Sequence, residues 1–522
     1  MVDYPSTMVT VLCIRCHMSE SETTMWPCVL RDGEPCLVCK EGIELERKIQ
    51  ELQGMRRRLR TRMNASHDPF TFKFPPEIAS LIFSLSMEEN DDTPLRGTLR
   101  KLPMSFLLGS VSRRWRQLAR SMPQLWTTVS FTLVKQRTRK KLVLPPLQFI
   151  NDWLQLSGSL PLTLCIVDHT ASDFQREICR PIVDALNQHS GRWRKASLHV
   201  DKYLLGYFRG TSPPSNLHDL EIGLQDDDEA PTTYFSMNSR PSPTRLTIQA
   251  FRISAFDVAW GNVTCLALKW MLPHECIKAI KLVPLLESCT LSELDLLRDG
   301  HSEVFHSQQV FKHMRLRKLF IKETEVDTVI VFNQAMEFPS LEELSYEAEG
   351  DFAAQSLISL LNRSGLDRLK GLTLAMDSDT EEIAEGLIEL LDAVPSLQKL
   401  ECKFPKTFGH TMNKFLQKLS SSPPMGPGGS PGFLPKLQSL TLRLDSPRTS
   451  IWRYIPRIFH WSHRKLLGLE VDTTGEIAMD DDYLDRISQR IREGFNIRIP
   501  GLPSESSEIQ RGNMCMDTVT GP

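Results

Sequence analysis

Leu369-Lys-Gly-Leu-Thr-Leu374, answered twenty-eight residues later by Leu397-Gln-Lys-Leu-Glu-Cys402, is the stretch that decides the fold. Its form is an apolar residue, two others, Leu, one other, and an apolar residue. It recurs as Leu217-x-x-Leu220-x-Ile222, Val263-x-x-Leu266-x-Leu268, Leu291-x-x-Leu294-x-Leu296 and Leu316-x-x-Leu319-x-Ile321, and again as Leu341-x-x-Leu344-x-Tyr346, Leu437-x-x-Leu440-x-Leu442 and Leu466-x-x-Leu469-x-Val471. With the middle Leu as anchor and Leu246 added, the intervals from Leu220 to Leu469 are 26, 20, 28, 25, 25, 28, 28, 40 and 29 residues. The Leu-x-Leu portion has a period of two, which belongs to a strand and not to a helix. Between anchors the pattern turns helical: Thr380 can cap a helix whose face is Ile383, Leu387, Leu390, Leu391 and Val394, with Pro395 ending it.

Strand then helix, repeated at this interval, predicts an α/β fold: an irregular leucine-rich-repeat horseshoe with a parallel sheet over residues 147–500. The one long interval contains the Pro-, Gly- and Ser-rich run Ser420 to Gly432, which reads as an extruded loop. Where an Asn or Cys would bond the turn backbone, the chain has Gln225, Asp299, Thr324, Asp377 and Pro405, so the units should be irregular. The residues flanking each middle Leu would face the open side of the sheet. They include Asp219, Glu221, Glu293, Asp295, Lys318, Phe320, Glu343 and Glu401, a set richer in carboxylates than cations that points to a basic segment in a client protein. The tail, residues 501–522, has little to bury and reads as disordered.

Upstream of the repeats lies a compact helical block, residues 70–131. Pro75 and Pro76 suit a helix start, Glu77 favours the positive end of the dipole, and Ile78, Leu81, Ile82 and Leu85 make one apolar face. A second amphipathic run from Phe106 to Ala119 carries Leu107, Leu108, Val111, Trp115 and Leu118, with Arg113, Arg114 and Arg116 mostly opposite. Before the block, residues 41–66 form a charged helix in which Leu45, Ile49, Leu52, Leu59 and Met63 keep heptad spacing and Arg56 fills the remaining core slot. Two readings fit this stripe: a helix resting on a neighbouring domain, or a short self-pairing coiled coil.

Within residues 74–126 stand Phe74-Pro-Pro-Glu-Ile78, Leu81-Ile-Phe83, Leu108-Gly-Ser-Val-Ser-Arg-Arg-Trp-Arg-Gln-Leu-Ala119 and Pro123-Gln-Leu-Trp126. On these motifs the segment resembles an F-box of the kind common in mushroom-forming (basidiomycete) fungi. Trp153 to Leu164, His189-Ser-Gly-Arg-Trp193 and Leu360-Leu-Asn-Arg-Ser-Gly365 extend the likeness over roughly residues 45–475. Two departures are Phe74 where the family has Leu, and an insertion at 88–105. The resemblance implies a helical plug entering a groove of a Skp-type adaptor, and through it a cullin. The positions matching the contact motif are Phe74, Pro75, Glu77, Ile78, Ile82, Phe83, Leu107, Leu108, Val111 and Trp115. It also implies a client protein held by the repeats, with ubiquitin transfer performed by other subunits. The alternative is a scaffold whose block only caps the repeat array.

Composition limits the remaining classes. The 522 residues carry 62 Lys and Arg against 64 Asp and Glu, 62 − 64 = −2, so no bulk charge commits the chain to nucleic acid or to a membrane surface. No window reaches the eighteen or so apolar residues of a membrane span, and Met1-Val-Asp-Tyr-Pro5 lacks a basic signal start; the expectation is a soluble cytoplasmic or nuclear protein. Five of the twelve cysteines lie between Cys13 and Cys39. Cys13-x2-Cys16 and Cys36-x2-Cys39 have the spacing of one structural four-thiolate zinc site, with Cys28 and His17 as spare ligands; the other reading of residues 1–40 is a flexible tail with free thiols. A fungal zinc-cluster DNA-binding regulator has a similar order of cysteines, basic run and helix, but it needs six closely spaced thiolates. For catalysis there is little. Gly428-Gly-Ser-Pro-Gly432 fits a nucleophile-elbow form, yet Pro431 forbids the helix that must follow, and there is neither a phosphate loop nor a His-Glu-x-x-His. The chain reads as a non-catalytic adaptor.

Overall fold

A computed structural model describes residues 37–66, 70, 73–88, 103–135, 142–143, 145–168, 176–212, 216–224, 235–294, 310–348, 350–404, 409–424, 432–444, 451–473 and 479–500. They form two compact units, one running to Thr132 and including Pro145–Thr163, the other made of Leu133–Leu144 and the chain from Leu164 onward. None of the described helices is long and apolar enough to cross a membrane.

The first unit is helical: α1 (Leu37–Ser66), α2 (Pro76–Glu88), α3 (Met104–Val111), α4 (Arg113–Arg120) and α5 (Leu147–Leu156). The second amphipathic run is therefore two helices and not one. Ser112 is extended (φ −149°, ψ 168°), and its hydroxyl accepts from the Trp115 amide at 3.2 Å, so the residue that could have continued α3 caps α4 instead. Arg116 donates back to the Gly109 carbonyl at 2.8 Å across that corner. Ala79, Phe83, Leu108, Ala119, Leu125 and Trp126 are buried, and the Trp126 indole donates to the Ala119 carbonyl at 2.7 Å. Helix α5, which the sequence assigns to the repeats, belongs to this unit. Its Phe149 and Trp153 rings lie 4.7 and 4.8 Å from Phe106.

The second unit holds most of a long sheet, residues 128–132 and 162–163 of which fall in the first. The strands of the sheet are β1 (Thr128–Lys135), β2 (Leu142–Val143), β3 (Leu162–Asp168), β4 (Trp193–His199), β5 (Asp219–Gly223), β6 (Arg245–Gln249), β7 (Cys265–Lys269) and β8 (Ser288–Ser292). They continue as β9 (Lys318–Thr324), β10 (Glu343–Ala348), β11 (Gly371–Ala375), β12 (Lys399–Phe404), β13 (Ser439–Leu444), β14 (Gly468–Thr473) and β15 (Ile497–Arg498). From β3 to β15 each strand lies beside its neighbour in the chain, with β1 next to β3 and β2 at the edge. The pairings from β4 to β15 are parallel, while β2 runs antiparallel to β1.

Register follows the anchors. Leu220 pairs with Leu246, Leu246 with Leu266, Leu319 with Leu344, Leu344 with Leu372, Leu372 with Leu400, Leu400 with Leu440, and Leu440 with Leu469. All are buried, so their common level forms one continuous apolar seam. One anchor is corrected: Cys289, not Leu294, pairs with Leu266 on one side and Leu319 on the other. The unit there is Leu286-x-x-Cys289-x-Leu291, in which a small buried thiol takes the Leu position. The same pattern with Ala in the middle, Trp193-x-x-Ala196-x-Leu198, pairs Ala196 with Leu220 and adds a repeat before the first one read from the sequence.

Helices α6 (Arg176–Asn187), α7 (Pro273–Leu282), α8 (Val326–Ala335), α9 (Ala354–Ser364), α10 (Glu381–Asp392), α11 (His410–Ser421) and α12 (Asp481–Arg492) connect strands. Helix α10 has the cap and face its sequence predicts: the Thr380 hydroxyl accepts from the Ile383 amide at 3.3 Å, and Ile383, Leu387, Leu390, Leu391 and Val394 are buried. A Cβ on Gly386 would lie 2.9 Å from the Ala354 Cβ, so this glycine permits the close packing of α10 on α9.

The turns are closed by backbone and side chains rather than by a repeated Asn. After β6, β7 and β8 stand Ala250, Trp270 and Glu293, each with left-handed φ (60°, 52° and 49°). Their amides donate to Lys269, Ser292 and Lys322 carbonyls at 3.0, 3.2 and 3.0 Å, tying each turn to the next strand. Two residues that depart from the usual pattern do the same service. The buried Thr324 hydroxyl accepts from the Leu294 amide at 3.5 Å, and the Asp377 carboxylate accepts from Gly350 at 3.0 Å. Past the long interval, buried Arg464 donates to the Leu434 and Phe433 carbonyls at 2.8 and 2.5 Å, and burial pulls its pKa down to about 10.

Asp379 joins two successive repeats of the second unit. It accepts from the amides of Gly409, His410 and Thr411 at 2.8, 3.0 and 2.9 Å and from the Thr411 hydroxyl at 2.6 Å, capping α11 from thirty residues upstream. Burial alone would raise its pKa, but these bonds hold it below the usual carboxylate value. Asp379→Ala should cost about 1 kcal/mol at neutral pH. Because the folded pKa is depressed, the difference from wild type should shrink as pH falls through it, measurable as converging urea midpoints.

Candidate functional site

Helix α2 is apolar on two faces. Ala79 and Phe83 point into the unit, each 1% exposed, whereas Ile78, Leu81, Ile82 and Leu85 point to solvent, between 38% and 56% exposed. These four stand at i, i+3, i+4 and i+7, one continuous stripe. Phe74 just before the helix, and Leu107 and Val111 on α3, are also exposed, at 42%, 40% and 50%. Helix α2 touches both α3 and α4. The apolar face read from the sequence is thus the one left open, and the core is made by the residues between.

The residues matching the contact motif divide accordingly. Phe74, Pro75, Glu77, Ile78, Ile82, Leu107 and Val111 are exposed and available to a partner. Phe83 and Leu108 are corrected to core residues, buried among the unit's own side chains. Trp115 is half-buried between Phe70 and Phe83, ring centroids 4.8 and 4.9 Å away, and so supports α2 from within. Leu81 and Leu85, outside the motif set, are members of the open stripe; their signal was the i, i+3, i+4, i+7 spacing. A cluster of this size exposed on one small helical unit is the type of surface that proteins reserve for partners.

The second candidate surface is the face of the sheet on which the anchors do not lie. Its carboxylates meet cations or donors on neighbouring strands: Asp219 meets Lys195 at 3.9 Å, Glu343 meets Lys318 at 2.8 Å, and Glu401 meets Arg443 at 2.9 Å. Glu221 accepts from Ser197 at 2.8 Å and lies 3.0 Å from the His199 ring; burial opposes its charge, but these two neighbours keep its pKa below the ordinary value. His199 fits because a Cβ on Gly223 would stand 2.5 Å from its Nδ1. Asp219 is pushed upward by burial, with Lys195 opposing. Phe320 lies half-buried on this face.

Glu293 is corrected: with Cys289 as anchor, β8 presents Ser288, Thr290 and Ser292, while Glu293 stands in the following turn, bound to Lys269 at 2.8 Å and to the Trp270 indole. Asp295 lies outside the described residues. The carboxylate excess read from single residues therefore disappears once cross-strand partners are counted, and with it the charge argument for a basic client.

Of the proposed metal ligands, Cys13, Cys16, Cys36, Cys28 and His17 lie outside the described residues, and Cys39 is in the first turn of α1. Among the described residues no group of three or more His, Cys, Asp or Glu is placed to hold a metal ion. The run 428–432, apart from Gly432, and the tail 501–522 are likewise outside the described residues.

No protein-family model matches the chain, and no curated protein matches it. The two faces of α2 can be told apart by stability: Phe83→Ala should lose about 3–5 kcal/mol, whereas Ile78→Ala should stay within about 0.5 kcal/mol of wild type in chemical unfolding.

Proposed function

We propose that the chain is a non-catalytic F-box adaptor that brings a client protein to a Skp–cullin ubiquitin ligase. The carrying observation is the outward stripe Ile78, Leu81, Ile82 and Leu85 beside Phe74, Leu107 and Val111. An amphipathic helix presenting apolar anchors at this spacing fits a groove in a small adaptor, with Pro75 and Glu77 at its rim. The same residues carry the F-box resemblance, so the sequence likeness and the exposed surface point to one place. A block that served only to cap the repeats would carry a polar outer face in place of an exposed apolar stripe.

In this reading the sheet unit is a leucine-rich-repeat solenoid and its open face holds the client. Cross-strand neutralisation makes that face a poor electrostatic trap, so client selection rests on shape and hydrogen bonding rather than on net charge. Transfer of ubiquitin falls to other subunits. The workplace is the cytoplasm or the nucleus.

Copurification of the full chain with a Skp-type adaptor tests the proposal. Wild type should retain the adaptor at high salt, since the contact is apolar. Ile78→Asp/Ile82→Asp should reduce recovery about a hundredfold while leaving the thermal midpoint of the chain in place. Equal recovery by both chains, or recovery by neither, would overturn the assignment.

A further inference from the structure

Helix α1 exposes four members of its apolar stripe: Leu45, Ile49, Leu52 and Leu59 stand in solvent on a helix of 30 residues. Arg47 braces it locally, bonded to Glu44 at 2.6 Å and to Glu51. Heptad spacing with Leu45, Leu52 and Leu59 at one core position and Ile49, Arg56 and Met63 at the other is the pattern of a coiled-coil seam. What could cover it is constrained by charge. Residues 40–51 carry Lys40, Arg47 and Lys48 against Glu41, Glu44, Glu46 and Glu51, 3 − 4 = −1, whereas residues 56–62 carry Arg56, Arg57, Arg58, Arg60 and Arg62 with no acid, +5.

We propose that α1 pairs with α1 of a second copy of the chain, and that the two helices run antiparallel. A parallel pair would set Arg56 against Arg56 within the seam and line five arginines against five. The antiparallel pair lays each arginine segment along the glutamate-bearing segment of the other copy, where Glu41 and Glu46 flank the seam. The long Arg56 stem can cover apolar surface while its guanidinium reaches that acidic rim. This inference stands apart from the adaptor proposal, since the α1 seam and the α2 stripe are different residues.

Sedimentation equilibrium of the full chain tests it. Wild type should dimerise in the micromolar range, and Leu52→Asp should abolish the dimer with helicity by circular dichroism essentially unchanged. Orientation is read from Arg60→Glu/Arg62→Glu. These exposed substitutions should weaken an antiparallel dimer about three- to tenfold, because glutamate would then meet glutamate, and would tighten a parallel one. A wild type that stays monomeric, a dimer indifferent to Leu52→Asp, or a charge-reversed dimer that tightens would each overturn the proposal.

Discussion

Everything in the larger unit depends on one level of buried side chains. Where Leu220, Leu246, Leu266, Cys289, Leu319, Leu344, Leu372, Leu400, Leu440 and Leu469 stand, each strand offers its neighbour an apolar residue at the same height. A slip of one residue would turn every such side chain to the opposite face, so register is specified wherever the seam is continuous. The helices between strands can then vary in length and content. They need only return the chain to that level, which is why an interval of 40 residues between Leu400 and Leu440 leaves their pairing intact.

The seam also explains the character of the opposite face. Parallel strands in register bring side chains of the same rank side by side, so Lys318 lies beside Glu343 and Ser197 beside Glu221. Charges read singly along the chain are thereby met in pairs across it. Such exposed pairs add little stability each, typically less than about 1 kcal/mol, but they set the electrostatic character of the surface. The face is polar and locally balanced.

Legibility followed the strength of the local signal. Period-two leucines and the Thr380 cap were readable because single residues carry them. The Cys289 anchor was missed because a search for Leu prefers Leu294, five residues on, although Leu286-Glu-Ser-Cys-Thr-Leu291 has the required apolar pattern. The break at Ser112 was hidden because 3.6-residue periodicity continues through it, and only the competition between helix continuation and capping decides the outcome. Thr324 and Asp377 looked like lost turn residues, yet they make the bonds an Asn would make, since the turn needs an acceptor and not a particular residue. Cross-strand ion pairs could not be read before register was known.

The smaller unit poses the opposite problem, since among its described residues a stripe of large apolar side chains stays exposed. Helix α2 has a narrow core face, Ala79 and Phe83, and only Phe83 of the two is large; Trp115 backs it. Had the stripe of Ile78, Leu81, Ile82 and Leu85 been the inward one, Phe83 would have pointed to solvent and its contact with Trp115 would have been lost. The aromatic cluster of Phe70, Phe83 and Trp115 therefore fixes the rotation of the helix, and the outward stripe follows from it. Exposed apolar side chains at helical spacing offer no benefit to an isolated unit and invite aggregation. On a helix whose rotation is fixed from within, their exposure is a set feature of the described unit.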